Sequence, residues 1–320
     1  MDNVENKVDS TATGDIGVEV FEAQIKPVSG IVMFWRELKA DKAAMVALII
    51  IIAVLLISVI GSAILTTEAV VDVNRARLMN RRMPPSWMEG GSPGNLLGTD
   101  EGGRDVLSFL VIASRNSLFL GFAVAVISII IGIVIGIISG YFGGHIDNVL
   151  MRIVDTWAMV PGLMFTIALI TMMTEFNMWR FIGILVMFSW MGRARLIRGM
   201  ALQQSNLDYI HASKTLGSSH FKIIFKELMP NLVAIIAANV VLTMSTTIGV
   251  EVGLALLGYG MPVGTPSLGT FIAAAASLGN LQNRWWMWAP GIVLMFIMMM
   301  SINFVGQAIT RIADPRQRRV

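Results

Sequence analysis

The sequence has no cysteine and only three histidines in 320 residues, and charged side chains make up 14% of it. Without cysteine there is no disulfide framework, thiolate metal site or cysteine nucleophile, and the redox compartment is left open. His145, His211 and His220 are not spaced as a ligand pair on a helix, so a metal held by this chain is not expected. No lysine follows a glycine, which rules out the glycine-rich phosphate loop that cradles ATP. Nor is there a Ser/His/Asp set, a His-Glu-x-x-His run or a pair of intramembrane carboxylates. His145 and Asp147 lie close together, but nothing near them supplies a nucleophile. An enzyme is therefore not expected.

An ordinary soluble domain carries about 25% charged residues. The deficit here accompanies 55% hydrophobic residues gathered in long runs, the composition of a membrane protein. A net charge of +3 fits this reading and not a nucleic-acid surface, because Lys and Arg cluster beside apolar runs, where they set topology. The 23 methionines follow no fixed spacing and read as packing or lipid-facing residues, not as a metal channel.

Residues 1–24 hold Asp2, Glu5, Asp9, Asp15, Glu19 and Glu22 against Lys7 alone, the reverse of a signal peptide. Residues 1–42 are expected to be an uncleaved, partly disordered cytoplasmic tail. Its end, 33–39, mixes bulky apolar and charged residues as an interfacial helix does.

Six stretches are then long or apolar enough to cross a bilayer, whose core takes about 20 helical residues. They are 43–65, 117–140, 156–174, 176–192, 231–250 and 285–309. The fourth is interrupted by Arg180, and hydropathy alone leaves five. Topology restores it, because short cytoplasmic loops carry the excess of Lys and Arg. Arg36, Lys39 and Lys42 precede the first span, the segment 193–229 is basic, and Arg311, Arg316, Arg318 and Arg319 close the chain. All three lie inside only if four spans precede the Arg193 segment and two follow it. The loop 66–116 is then extracellular although it carries Arg75, Arg77, Arg81, Arg82, Arg104 and Arg115, which six acids balance. The cluster Trp285-Trp286-Met287-Trp288 suits the outer end of span six, at headgroup level.

These boundaries leave the span interiors without ionisable residues except Arg180 near one end, with Glu251 just past the end of span five. An ion-coupled carrier needs a relay at membrane depth, so energy for uphill transport is expected from a partner.

Between spans four and five lies the most informative segment. Asn206 can cap a helix with Asp208 in its first turn, and Gly217 can end that helix. Ser218 or Ser219 can cap a second helix with Phe221, Ile224, Phe225 and Leu228 on one face. A short cytoplasmic helical hairpin is the expectation. The segment resembles the coupling loop of ATP-binding-cassette (ABC) importer permeases, whose pattern is Glu-Ala-Ala, three residues, Gly, then Pro thirteen residues later. Ala212, Gly217 and Pro230 match in register, Ser213 stands for the second Ala, and His211 stands where the Glu belongs.

Other segments are similar to the C-type permease of the dipeptide/oligopeptide group. They are Gly98-Thr99-Asp100-Glu101-Gly102-Gly103-Arg104-Asp105-Val106-Leu107-Ser108, Gly140-Tyr141-Phe142-Gly143-Gly144, Leu257-Gly258-Tyr259-Gly260, Thr265-Pro266-Ser267-Leu268-Gly269 and Asp314-Pro315-Arg316. The likeness runs over roughly residues 34–316.

The resemblance implies an all-α, six-span permease of the type I ABC importer fold, in a bacterial or archaeal cytoplasmic membrane with both termini inside. It divides into a tail (1–42), a first span (43–65), an extracellular loop (66–116), a permease core (117–310) containing the coupling loop (193–230), and a tail (311–320). It also implies a second homologous permease as heterodimer partner, two cytoplasmic ATPases that hold ATP and magnesium, and an extracellular binding protein. No cofactor belongs to this chain, and no nucleic acid is a partner. Tyr209, His211, Ala212, Leu216, Gly217, Phe221 and Pro230 are assigned to the ATPase contact. Asn239, Thr243, Ser245, Thr246 and Thr247 in span five, with Asn303 in span six, are candidates for a peptide path or for interhelical hydrogen bonds. Nickel or another small solute is an alternative cargo, and a stand-alone channel or a membrane scaffold is the reading from another class.

Overall fold

A computed structural model describes residues 30–65, 77–276 and 278–313, with side chains described from Trp35 onward except at 77, 78 and 278. The acidic stretch of the N-terminal tail, part of the 66–116 loop and the closing Asp314-Pro315-Arg316 lie outside the described residues. Among those described, the secondary structure is helical, and the only strand-like pairing is an isolated bridge between Thr99 and Asp105.

Helix starts follow local chemistry. A short helix, α1 (Gly30–Ala40), leads to α2 (Lys42–Ile64), whose first turn is capped by Asp41 accepting from the Ala44 amide at 3.1 Å. Asp41 is also paired with Arg311 of the last helix. Asp105 caps α3 (Val106–Phe142) by accepting from the Ser108 amide at 2.8 Å. At 37 residues α3 is about 55 Å long, far more than span two required. It begins eleven residues before the expected boundary of 117 because the cap at Asp105, and not the first apolar run, sets its start.

The third expected span is broken: α4 (Gly144–Ala158) and α5 (Gly162–Met172) meet at a 70° bend. Pro161 stands at that break, where it cannot donate to a continuing helix. The next helix, α6 (Met178–Ser205), is capped by Asn177, which accepts from the Arg180 amide at 3.0 Å. It runs past the predicted end of span four at Gly192, because nothing between Arg193 and Ser205 breaks a helix. After α7 (Asp208–Thr215), the helix α8 (His220–Leu256) carries span five. The short helices α9 (Leu268–Ala275) and α10 (Leu278–Asn283) precede α11 (Ala289–Ala313). Ser267 and Thr270 form a reciprocal capping box at the start of α9.

Four helices, α2, α3, α8 and α11, are long and apolar enough to cross a membrane, and the bent α4–α5 pair makes up to five. The helix α6 falls short on composition, since Arg193, Arg195 and Arg198 lie in its second half.

The most extensive packing joins α3 to α6. Gly132, Gly136 and Gly140 recur every four residues on the contact face of α3. A Cβ at Gly136 would stand 2.7 Å from the Ala194 carbonyl oxygen and 2.8 Å from the Arg198 amide nitrogen. Helices in lipid gain little from hydrophobic transfer, so close backbone approach and dispersion must hold this seam. A second core joins α3, α8, α9 and α11 through Ile112, Ile248, Leu268 and Ile302. The face of α2 bearing Ile49, Ile52, Leu56 and Ile60 is left uncovered by the rest of the chain.

Candidate functional site: the hairpin and the polar cavity

The hairpin forms with one change of register at each end. Asn206 does not cap α7; it ends α6, its side-chain amide donating to the Leu202 carbonyl at 3.0 Å. Leu207 takes the capping position of α7 without a side-chain bond. Gly217, at φ 78°, closes α7 by the expected left-handed turn: its amide donates to the Lys214 carbonyl at 3.0 Å and the Ser218 amide to the Ser213 carbonyl at 3.1 Å. Of the two serines considered, Ser219 is the cap, accepting from the Lys222 amide.

The second hairpin helix is not a separate short element, because it is the first part of α8. Pro230 stays inside the helix, and the turn before it, Ile223–Leu228, widens to π geometry. The widening accommodates a residue that has no amide hydrogen and whose ring crowds the carbonyl four residues back. It also changes which residues face inward. Ile223 and Leu228, five apart, are fully buried with Ile210, Ile197 and Leu232. Phe221, Ile224, Phe225 and Leu228, expected on one face, do not share it: Leu228 is buried, while Phe221 and Phe225 are exposed with ring centroids 4.4 Å apart.

Polar bonds fix the hairpin to the body. Ser213 donates to Glu227 at 2.6 Å, joining its two arms. The Tyr141 hydroxyl and His220 Nδ1 share a hydrogen bond of 2.9 Å, and the Lys214 ammonium sits 4.8 Å from the centroid of the Tyr141 ring. Tyr209 donates to Gln204 at 3.2 Å and accepts from Asn231 at 3.0 Å, so part of its side chain serves the fold. His211, Ala212, Leu216, Gly217 and Phe221 form an outward face, Leu216 being 85% and Phe221 72% exposed. Nearby, Arg198 donates to both oxygens of Asp147 at 2.5 Å, and Ser139 bonds the same carboxylate. Asp147 is thus an ion-pair partner in α4.

The polar residues of span five divide. Ser245 donates to the Met299 carbonyl at 3.2 Å and accepts from Asn303 at 2.9 Å, so this pair ties α8 to α11. Asn239 bonds the Ile235 carbonyl of its own helix at 2.9 Å. Thr243, Thr246 and Thr247 border a cavity of about 320 Å³ shared with Thr166, Ser189 and Arg193. Arg193 donates to the Thr243 hydroxyl oxygen through Nε at 3.0 Å and Nη2 at 2.7 Å. Sequence reasoning placed Arg193 in the cytoplasmic loop 193–230; the structure places its guanidinium against the middle of span five.

Glu251 was similarly set just outside a span, yet it lies within α8 and is fully buried. Ser267 donates to its Oε1 at 2.6 Å, and a Cβ on Gly269 would meet that oxygen at 2.5 Å. Neither residue carried a local signal of its depth beyond the absence of a helix breaker before Ser205 or Leu256. Among the described residues no group of His, Asp or Glu is arranged to hold a metal ion.

Comparison with known proteins places this architecture. Residues 132–319 match the model for the inner membrane component of binding-protein-dependent transport systems. Residues 31–85 match the N-terminal transmembrane domain of oligopeptide transport permease C. The chain is 43% identical over 282 residues to the oligopeptide transport system permease protein OppC of Lactococcus lactis subsp. cremoris, covering 88% of this chain and 93% of that one. It is 32% identical over 294 residues to the dipeptide transport system permease protein DppC of Escherichia coli K12, covering 92% and 95%. In fold it is similar to an inward-facing structure of the MetNI methionine ABC transporter, with a TM-score of 0.54 and 20% identity over 65% of this chain and 97% of that chain. The chain therefore belongs to the binding-protein-dependent transport system inner membrane component family, as a multi-pass, OppC/DppC-like ABC permease subunit that is not itself an enzyme and works with other transporter subunits.

Proposed function

We propose that the chain is one permease half of an ATP-driven importer of di- or oligopeptides in a bacterial or archaeal cytoplasmic membrane. Similarity over nearly the full length to both oligopeptide and dipeptide permeases is the observation that carries this reading. The partners are a second, homologous permease in a heterodimer, two cytoplasmic ATPases that bind ATP and magnesium, and an extracellular peptide-binding protein. His211, Ala212, Leu216, Gly217 and Phe221 are the surface on which an ATPase docks, while Tyr209 and Pro230 set its shape. The exposure of Leu216 and Phe221 against their own chain supports this, since large apolar side chains left uncovered at a built hairpin suit a partner's pocket. Thr243, Thr246 and Thr247 are the span-five residues that border the peptide path; Asn239, Ser245 and Asn303 serve helix packing.

We further infer six crossings, with α6 added to the four apolar helices and the bent pair, and both termini inside. The domain division is then tail (1–42), first span (43–65), extracellular loop (66–116), permease core (117–310) with the coupling loop (193–230), and tail (311–320). In this cysteine-free chain Glu89→Cys and Gln203→Cys, both exposed, report the two sides. Only Glu89→Cys should react with an impermeant thiol reagent on intact cells; equal labelling ends the six-crossing model. For function, Phe221→Ala should retain membrane insertion and lose at least about tenfold in ATPase affinity, as a truncated interface anchor does. Unchanged co-purification of the ATPase with Phe221→Ala refutes the docking assignment.

A further inference from the structure

Arg193, Arg195 and Arg198 follow one another on α6, but their situations differ. Arg195 pairs with Asp155 at 2.7 Å and Arg198 with Asp147 at 2.5 Å. Arg193 has no carboxylate partner among the described residues; its Nε and Nη2 share one neutral acceptor, Thr243 Oγ1. That hydroxyl donates its own hydrogen bond to the Asn239 carbonyl at 2.6 Å, so Thr243 orients the guanidinium without neutralising it. Nη1 makes no hydrogen bond among the described residues.

The depth matters. Arg193 lies fifteen residues into α6, about 22 Å along its axis, and Thr243 lies thirteen residues from the end of α8, about 20 Å. An uncompensated cation at such a depth is costly, and ionisable residues there face a water-filled path or a ligand. Among the described residues bordering the cavity, Arg193 is the only charged one.

A second positive feature borders the same space. Gly162 and Leu163, the first residues of α5, line the cavity, and no side chain caps that helix. The first turn of a helix presents unsatisfied N–H groups and the positive end of its dipole. The bend at Pro161 is what brings this turn there. A guanidinium held in place by one hydroxyl and an uncapped helix start bordering the same cavity make a receptor for an anion, with Thr246 and Ser189 as neutral hydroxyls in its lining.

We propose that Arg193 receives a carboxylate of the transported peptide during its passage through this cavity. The inference rests on the peptide-importer reading above, and it adds a discriminating contact on the permease itself. The chemistry required is a carboxylate, supplied by the peptide C-terminus or by an acidic side chain. Arginine suits this role because its planar fork engages both carboxylate oxygens.

The test uses the complete transporter, both permeases with ATPases and binding protein, reconstituted in proteoliposomes. Three peptides of equal length are chosen to bind the binding protein equally: neutral with a free C-terminus, the same peptide amidated, and an amidated peptide with one internal glutamate. Wild type should take up the first about tenfold faster than the second, the ratio one charge-assisted hydrogen bond supplies. Arg193→Gln should bring that ratio close to one, and Arg193→Lys should restore part of it. Rapid uptake of the third peptide identifies any carboxylate as sufficient; slow uptake identifies the C-terminus as the group received. Either supports the proposal. Equal rates for the first two peptides in wild type overturn it without any variant, so a poorly assembling Arg193→Gln does not shield it. An Arg193→Gln transporter that slows both peptides equally, or keeps the wild-type preference, also overturns it. If wild type moves no peptide although the loaded binding protein stimulates ATP hydrolysis, the peptide reading itself fails first.

Discussion

The coupling hairpin and the α3–α6 seam both depend on glycine, for opposite physical reasons. At Gly217 the backbone is left-handed, φ 78°, and a Cβ would meet nothing within 4 Å. The constraint there is conformational. At Gly136 the backbone is ordinary helix, but a Cβ would press on the Ala194 carbonyl oxygen at 2.7 Å and on Ile197 Cβ at 2.9 Å. That constraint is space. The first kind of glycine can be recognised from its neighbours in sequence, because the turn it makes is local. The second is defined by a helix about sixty residues away, and only the packed structure reveals it.

The largest effect should come from testing space. Gly136→Val forces two backbones apart at the most extensive helix contact, and overpacking against backbone costs about 3 kcal/mol or more. Against the marginal stability of folded proteins, loss of monodisperse protein after detergent extraction is expected. A normal yield and melting temperature for Gly136→Val would mean that the seam is looser than its distances imply.

Testing conformation should cost less and act on function. Gly217→Val introduces about 1–2 kcal/mol of left-handed strain without a clash, so insertion and extraction should be normal while transport-coupled ATP hydrolysis falls. Gly217→Asn, which tolerates that backbone region, should stay near wild type. If Asn were as damaging as Val, the position would be limited by contact with a partner and not by φ, and the contrast with Gly136 would weaken.

A smaller effect is expected at His211, which is exposed at the hairpin in place of the family glutamate. The hydrogen bond that His211 accepts within α7, from the Thr215 hydroxyl to its backbone carbonyl at 3.0 Å, does not depend on the His211 side chain. Docking should therefore rest on shape and neutral hydrogen bonding, with His211→Gln retaining coupled ATP hydrolysis to within about twofold. Coupling lost in His211→Gln but kept in His211→Glu would show that a negative charge is needed there.

The smallest effect concerns the segment 77–105, which neither glycine controls. Hydrogen bonding from the Asn280 side chain, aided by Arg82, holds the Glu101 carboxyl below its ordinary value of 4.5. A lowered folded value means that this contact stabilises above the unfolded value and is lost as pH falls through the folded one. Spin labels at Glu89→Cys and Gln282→Cys should keep one narrow distance from pH 7 down to 5 and broaden only below the ordinary glutamate range. Broadening that begins near pH 6 would assign the contact to another group.

How much was legible follows the same division between local and distant causes. Gly217, Ser219 and the 3.6-residue periodicity announced a hairpin because capping and left-handed turns are settled within a few residues. The single face read for its second arm is split, since the π turn before Pro230 lets Ile223 and Leu228, five apart, both face inward while Phe221 and Phe225 stay outward, a spacing that periodic counting at 3.6 cannot register. The break in the third span had its sign in Pro161, but hydropathy averaged across it. Arg193 had no sign at all. Hydropathy ended span four at the first charge, while the helix continued to Ser205 and carried that charge to Thr243.

The sequence by itself determined the membrane class, the helical character, the left-handed turn at Gly217, the absence of an ATP-cradling loop, and the family, because composition, turn chemistry and motif order are properties of neighbours along the chain. Tertiary structure alone decided which ionisable groups lie against or within the long apolar helices and what they meet. Glu251 is enclosed by Ser267 and Gly269, and Arg193 is oriented by Thr243, only because α8 packs beside α9 and α6 at fixed register. Depth and facing are set by contacts between residues far apart in sequence, and the glycine faces that allow those contacts act through the space they leave.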